Sequence, residues 1–181
     1  MSVPAVSEEP TKISAEGISL ALKFVERFLT EDELQLVRKM QPGAFLPLEQ
    51  IRWVWDNLVR RAPVEMKAAI KGMIYAQRKM LEETGARSPT DFLRVSNIVY
   101  QTFTRGARIG GREVVSEGQN ELVVDDSTWP GCNVAPWFIE AYVRAGGARG
   151  VRIEHLELCR TKSDRICRYR VRWSSVAPRL S

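Results

Sequence analysis

The chain changes its hydrophobic period near Gly106, and this change limits the folds that it can adopt. Before it, apolar residues recur at helical spacing, and Ile18, Leu22, Val25 and Leu29 share one face of a helix. After it, short runs of β-prone residues are separated by glycines, which is typical of strands. Helices followed by a separate set of strands indicate an α+β fold, in which N-terminal helices pack on a C-terminal antiparallel sheet.

Start and stop signals divide the helical part, residues 17–106, into five predicted helices. Thr30–Glu33 has the spacing of a capping box, and Ser88–Asp91 repeats it at the last helix. The fourth helix, from about residue 64 to residue 83, is apolar around more than half of its circumference. We therefore expect this helix to lie at the centre of the fold.

The second part, residues 107–175, has the order β-β-α-β-β and belongs to the same single domain. Its β-prone runs lie at 112–117, 121–125, 150–160 and 166–173. A helix begins after Asn133 and ends at two glycines. Residues 1–16 are polar and contain prolines, so we expect a disordered tail there, and a second tail at residues 176–181.

The composition excludes several classes of protein. The chain has 181 residues, a net charge of +5 and no apolar run near the roughly 18 residues of a membrane span, so we expect a cytoplasmic protein. A serine hydrolase needs a histidine base, and His155 is the one histidine of the sequence. There is also no P-loop, dinucleotide-binding or HExxH motif. We therefore expect no enzyme activity.

Two cysteines are expected to lie side by side on the last hairpin. If the turn is centred at residue 163, Cys159 faces Cys167, and alternation puts His155 and Glu157 on the same face of the sheet. A third cysteine precedes the neighbouring helix and could approach them from another direction. Three thiolates with one nitrogen or oxygen form a structural zinc site. The alternative is that the cysteines are small buried packing residues.

The stretch 132–173 resembles the 4-vinyl-reductase-type domain of the heme-NO-binding-like and TRAPP small-subunit superfamily. The matching residues are Cys132-Asn133 before a helix, Gly146-Gly147-Ala148 at its end, and the tail from Cys159 through Cys167 to Tyr169. The Gly-Asp turn of the family is Ser163-Asp164 here. The whole chain is similar to short bacterial proteins of this superfamily.

The resemblance implies a helix-covered sheet, a homodimer and a pocket for a small apolar molecule. In sensor members, zinc is held by three cysteines and a glutamate three residues before the middle one, and Leu156 stands at that position here. The implied zinc ligands are Cys132, Cys159, Cys167 and Glu157, with His155 as the alternative fourth ligand. Relatives that bind heme present their histidine from a helix, whereas His155 lies on a predicted strand, so we expect no heme.

These observations favour a non-enzymatic sensory or ligand-binding domain that signals through contacts with a protein partner. Its expected ligand-binding residues are Tyr100, Phe103, Trp137 and Tyr142, because aromatic side chains with few polar tips suit a small-molecule pocket. One alternative is an assembly or scaffold subunit without a ligand, as TRAPP-like relatives are. Another is nucleic-acid binding through the arginine-rich face of the last strands, which a solvated sheet face explains as well.

Overall fold

The structure, a computed structural model, describes residues 10–41, 43–106, 109–129, 131–162 and 164–177, and it confirms the α+β fold with antiparallel sheets. The α-helices are α1 (Ala15–Lys23), α2 (Glu31–Arg38), α3 (Leu48–Arg61), α4 (Pro63–Ala76), α5 (Arg78–Glu83), α6 (Pro89–Phe103) and α7 (Ala135–Ala145). The strands are β1 (Lys12–Ser14), β2 (Phe45–Pro47), β3 (Thr104–Arg105), β4 (Arg112–Gly118), β5 (Glu121–Asp126), β6 (Ala148–Arg149), β7 (Arg152–His155), β8 (Cys167–Arg172) and β9 (Ser175–Val176).

The two predicted capping boxes begin α2 and α6. The Thr30 N–H donates to the Glu33 carboxylate at 2.8 Å, and the Ser88 N–H donates to the Asp91 carboxylate at 2.9 Å. The helix predicted over residues 64–83 is two helices, α4 and α5, which meet at Gln77. No helix within the described ranges is long and apolar enough to cross a membrane.

The structure corrects both predicted tails where it describes them. Lys12–Ser14 forms β1, which lies between β2 and β3 in a three-stranded antiparallel sheet. Ile13 is buried in the core, and the Ser14 hydroxyl caps α1 by accepting from the Glu16 N–H. Polar composition predicted disorder here because one apolar residue gives no periodic signal. Val176 lies in β9, which pairs with β6; residues 1–9 and 178–181 lie outside the described residues.

The larger sheet has the order β4-β5-β8-β7, with every neighbouring pair antiparallel. On β8, Cys167, Tyr169 and Val171 are buried, whereas Arg168 and Arg170 are half-buried on the other face. This is the predicted division between an apolar and a basic face. Helix α7 packs against α4 and α6, which joins the sheet part to the helical part.

The register of the last hairpin differs from the predicted one by two residues. His155 pairs with Tyr169 instead of Val171, and the strands are shorter than predicted. Beyond His155 the ladder is irregular, since Arg168 accepts from the Leu156 N–H and donates to the Leu158 carbonyl. A shift of two residues leaves every side chain on its predicted face, because the side-chain period of a strand is two.

A buried carboxylate ties the N-terminus of α2 to α3. Glu33 is fully buried, and besides Thr30 it accepts hydrogen bonds from Asn57 and Arg61. Burial alone would raise the pKa of the Glu33 carboxyl, but the hydrogen bonds from Arg61, Thr30 and Asn57 together lower it below its ordinary value of 4.5. Folding therefore favours the ionised form of this side chain.

We predict that Glu33 contributes stability above about pH 4.5, which is lost as the pH falls through its lower folded-state pKa. The variant Glu33→Gln should lose this part of the pH dependence, measured as the unfolding free energy in urea between about pH 3 and pH 7. The exposed neighbour Glu31 provides the control, since Glu31→Gln should leave the profile as it is. Identical profiles for the two variants would contradict this account.

Candidate functional site

A cavity of about 80 Å³ lies between α1, α3, α4, α6 and α7. Helix α6 contributes Ser96, Val99, Tyr100 and Phe103, which are spaced at i, i+3, i+4 and i+7 and therefore share one face of the helix. The aromatic lining residues are Trp55, Tyr100, Phe103, Trp129, Phe138 and Tyr142. Both parts of the chain build this cavity.

Aromatic contacts set the shape of one wall. The rings of Trp55 and Trp129 meet edge to face, with centroids 5.3 Å apart, and Trp55 stacks on Phe138 at 6.1 Å. The Tyr100 hydroxyl holds the Trp129 loop in place. It accepts a hydrogen bond from the backbone N–H of Trp129 at 3.1 Å and donates one to the backbone carbonyl of Ile109 at 2.5 Å. Burial raises the pKa of Tyr100, so this hydroxyl stays protonated and keeps its donor role.

A buried ion pair forms the polar end of the cavity. Arg112 lines the cavity, and its Nε donates to Asp126 Oδ2 at 2.7 Å, with both side chains almost fully buried. The same guanidinium donates to Ser96 Oγ at 3.0 Å and to Thr128 Oγ1 at 3.3 Å. Asp126 also accepts from the Thr128 N–H and hydroxyl. The positive charge of Arg112 is thus balanced within the protein.

The structure brings three of the four residues expected to bind a ligand to this cavity: Tyr100, Phe103 and Tyr142. Trp137 is half-buried against the core and does not line the cavity. Sequence reasoning missed the Arg112–Asp126 pair. Asp126 lies one residue beyond the predicted run 121–125, and it is opposite Arg112 because the register shifts at a bulge between Val114 and Ser116, which the sequence pattern did not reveal.

The three cysteines also come together, at the end of the four-stranded sheet where the inner strand β8 begins. The Sγ atoms of Cys132, Cys159 and Cys167 all lie within 4.8 Å of one another. Glu157 and His155 are exposed and do not belong to this group, and His155 instead stacks on Tyr169 at 4.7 Å. The cluster in the described residues therefore consists of three thiols and lacks the fourth side chain that was expected.

The thiols differ in acidity. The Thr161 hydroxyl lies 2.9 Å from the Cys159 sulfur and lowers the pKa of that thiol. Burial and the two neighbouring thiols raise the pKa of Cys132. Of these two thiols, Cys159 is thus the easier to ionise.

Comparisons with known proteins give a fold. No protein-family model matches the chain, and no curated protein matches it. Solved structures of H-NOX proteins do match. A Cs H-NOX variant with 4-cyano-L-phenylalanine has a TM-score of 0.59 and 12% identity, covering 93% of this chain and 100% of that one. An H-NOX domain from Shewanella oneidensis in the Fe(II)CO state has a TM-score of 0.53 and 9% identity, covering 90% and 98%.

The chain has the H-NOX fold. A third match, an Fe(II) unliganded H-NOX protein from K. algicida, agrees, with a TM-score of 0.51, 9% identity and 91% of each chain covered. This supports the heme-NO-binding-like part of the resemblance seen in the sequence. The closer resemblance to 4-vinyl-reductase-type domains and to TRAPP subunits stays a prediction.

The comparisons overturn the cofactor prediction, a structural zinc with no heme. Other solved structures that share the fold were determined to study heme distortion in the H-NOX family and heme redox potential, so the neighbours of this fold are heme proteins. The prediction was wrong because it relied on strand spacing and on the position of one histidine. Neither strand spacing nor the position of one histidine indicates which cofactor other proteins with the same fold bind.

The lining residues of this chain do not fit a heme. Histidine, cysteine, methionine and tyrosine are the usual axial ligands of heme iron, and the described lining includes no histidine or cysteine. Tyr100 already bonds to two backbone groups, and burial raises the pKa of Tyr142 to about 12, which disfavours the phenolate that would bind iron. Among the described lining residues, Met73 is then the one remaining candidate for an axial ligand. The volume of about 80 Å³ is also below the roughly 300 Å³ at which pockets for drug-sized ligands begin.

We predict that Asp126→Asn destabilises the protein by about 3–5 kcal/mol, because it leaves the Arg112 guanidinium buried without a counter-charge. The neighbouring pair of Asp125 with the half-exposed Arg168 is the matched control. Asp125→Asn should cost no more than about 1 kcal/mol. Urea unfolding of both variants measures the difference, and equal losses would show that the buried pair has no special weight.

We predict that Cys167→Ala, at a fully buried position, costs about 1–2 kcal/mol through the small cavity that it leaves. Cys132→Ala, at a half-buried position, should cost less. Unfolding of the reduced proteins in urea gives both values. A loss above about 4 kcal/mol from either substitution would exceed what packing explains.

Proposed function

We propose that this protein is a non-enzymatic sensory domain whose cavity binds a small, mostly apolar molecule and whose output passes through contacts with another protein. The observation that carries the proposal is the aromatic cavity between the helical part and the sheet part of an H-NOX fold. The Arg112 guanidinium and the Tyr100 hydroxyl in its wall already form hydrogen bonds with other groups of the protein. A mainly aromatic and aliphatic wall, whose arginine and Tyr100 hydroxyl are already bonded, favours a mostly apolar ligand.

The size of the cavity limits the ligand. A cavity of about 150 Å³ holds a benzene molecule, and a single water needs about 10–15 Å³. The space of about 80 Å³ therefore suits a molecule of roughly five non-hydrogen atoms. Larger ligands would require the side chains of the wall to move.

The position of the cavity offers a route from binding to signalling. Its wall combines Ile18 and Met73 from the helical part with Trp129 and Tyr142 from the second part. A ligand that contacts both parts binds one relative arrangement better than another, and so shifts the population toward it. A protein partner that distinguishes the two arrangements would read this shift. The homodimer and the cytoplasmic location stay predictions, and light scattering at micromolar concentration tests the first.

Nucleic-acid binding receives little support from the basic sheet face. Arg168 forms two hydrogen bonds with Asp125, at 2.6 and 2.7 Å, and Arg172 pairs with Glu121. Arg170 lies 3.4 Å from Glu154. Phosphate binding needs uncompensated positive charge, and these arginines have partners on the same face.

Xenon binding tests the proposal, because xenon enters apolar cavities without a specific contact. We expect a shift of the xenon NMR signal on addition of the protein, and we expect Val99→Phe, which fills the cavity, to abolish it. The matched control is Val64→Phe on the exposed surface of α4, which should bind xenon as the unchanged protein does.

Two results would contradict the proposal. The first is an equal xenon shift for Val99→Phe, which would place the xenon outside the cavity. The second is a stable complex with hemin whose absorption spectrum shows ligated iron, since the cavity would then serve a different ligand.

A further inference from the structure

Two tryptophans that line the cavity have buried indole N–H groups with no hydrogen-bond partner among the described residues. Trp55 is 2% exposed, and its Nε1 is buried without an acceptor among the described residues. The Nε1 of Trp129 is in the same situation. Both residues line the cavity. Buried donors are nearly always paired in folded proteins, so two such donors at one cavity require an explanation.

The wall itself does not supply the missing acceptors. The Trp55 and Trp129 rings meet at an interplanar angle of 60°, and an N–H directed at a ring face would satisfy at most one of the two groups. Among the polar groups of the wall, Ser96 accepts from Arg112 and the Thr104 hydroxyl donates to the Tyr100 carbonyl. Gln77 also lines the cavity, but no acceptor among the described residues is hydrogen-bonded to either indole N–H. Both indole donors therefore lack an acceptor among the described residues, and the cavity that both tryptophans line is the place where a ligand would supply one.

The charge of the site selects among possible acceptors. Arg112, the one cationic residue of the described lining, is paired with Asp126 at 2.7 Å, and Arg160, 4.0 Å from the same carboxylate, does not line the cavity. The donors of the cavity are therefore not accompanied by an unpaired positive charge in its wall. A carboxylate or phosphate would lose its hydration there and find no counter-charge. A neutral oxygen, as in a ketone, an ester or an ether, needs only a donor.

We propose that Trp55 and Trp129 are specificity-determining residues that donate hydrogen bonds to a neutral oxygen acceptor on the ligand. The cavity then prefers a small carbonyl compound to a hydrocarbon of the same shape. This inference rests on the proposed ligand-binding function and adds the chemical class of the ligand. When the hydrocarbon is bound, the indole donor stays buried without a partner, whereas the carbonyl oxygen accepts its hydrogen bond. This difference gives a preference of about tenfold for the carbonyl compound.

A matched pair of ligands provides the test. Cyclobutanone and methylenecyclobutane have nearly the same shape, and only the ketone has an acceptor. We expect the unchanged protein to bind the ketone about tenfold more tightly, measured by titration with NMR detection. In Trp55→Phe the preference should fall to about twofold or less, with the affinity for the hydrocarbon retained.

The chain offers a control on the same helix. Trp53 is 50% exposed, so Trp53→Phe should keep the full preference for the ketone. Trp129→Phe provides a second variant at a half-buried position, which keeps the test available if Trp55→Phe does not fold. We expect it too to reduce the preference.

The outcomes separate the two proposals. Equal binding of the two ligands to the unchanged protein would overturn the role of the indoles and leave the cavity as a binding site. A preference that persists in both Trp55→Phe and Trp129→Phe would also overturn it. If neither of the two ligands binds and xenon does not bind either, the proposed function itself is wrong.

Discussion

The buried ion pair between Arg112 and Asp126 is the interaction on which the two parts of this molecule depend. It connects β4 to β5, reaches α6 through Ser96 and fixes the loop before α7 through Thr128. A buried ion pair is stabilising only where further hydrogen bonds satisfy both ions, and here the guanidinium and the carboxylate each have several. The same network forms the polar end of the cavity, so the stability of the fold and the polarity of the site come from one set of contacts.

The faces of the sheet could be predicted from the sequence, whereas the register could not. The alternation of Cys167, Tyr169 and Val171 with three arginines determines which side chains are buried, whatever residue pairs with them. The pairing depends on the irregular backbone between His155 and Cys167, where the turn does not follow a regular ladder. Cys159 and Cys167 nevertheless come together, because the Arg168 N–H donates to the Leu158 carbonyl and so keeps residue 159 beside the start of β8.

The candidate site could be predicted only in part, for a related reason. Tyr100 and Phe103 lie on one helical face, and a helical face is visible in the sequence. Trp55 and Trp129 are 74 positions apart, and nothing in their local sequence indicates that their rings meet. In the same way, Glu157 shares the predicted face of the cysteines but is exposed, because the sheet ends before it. Local patterns report faces, and tertiary packing decides which faces meet.

The likeness to H-NOX structures shows how far a shared fold constrains a ligand. A fold places a cavity between its elements, but the side chains that line the cavity decide what enters it. Here the wall holds two unpaired indole donors and a neutralised arginine, and the one histidine of the chain stacks on Tyr169 outside the cavity. Such a wall offers hydrogen-bond donors to a ligand, and its described lining residues include no histidine or cysteine that could bind a heme iron. The chemistry of the lining residues is therefore a better guide to the ligand of this chain than the fold that it shares with heme proteins.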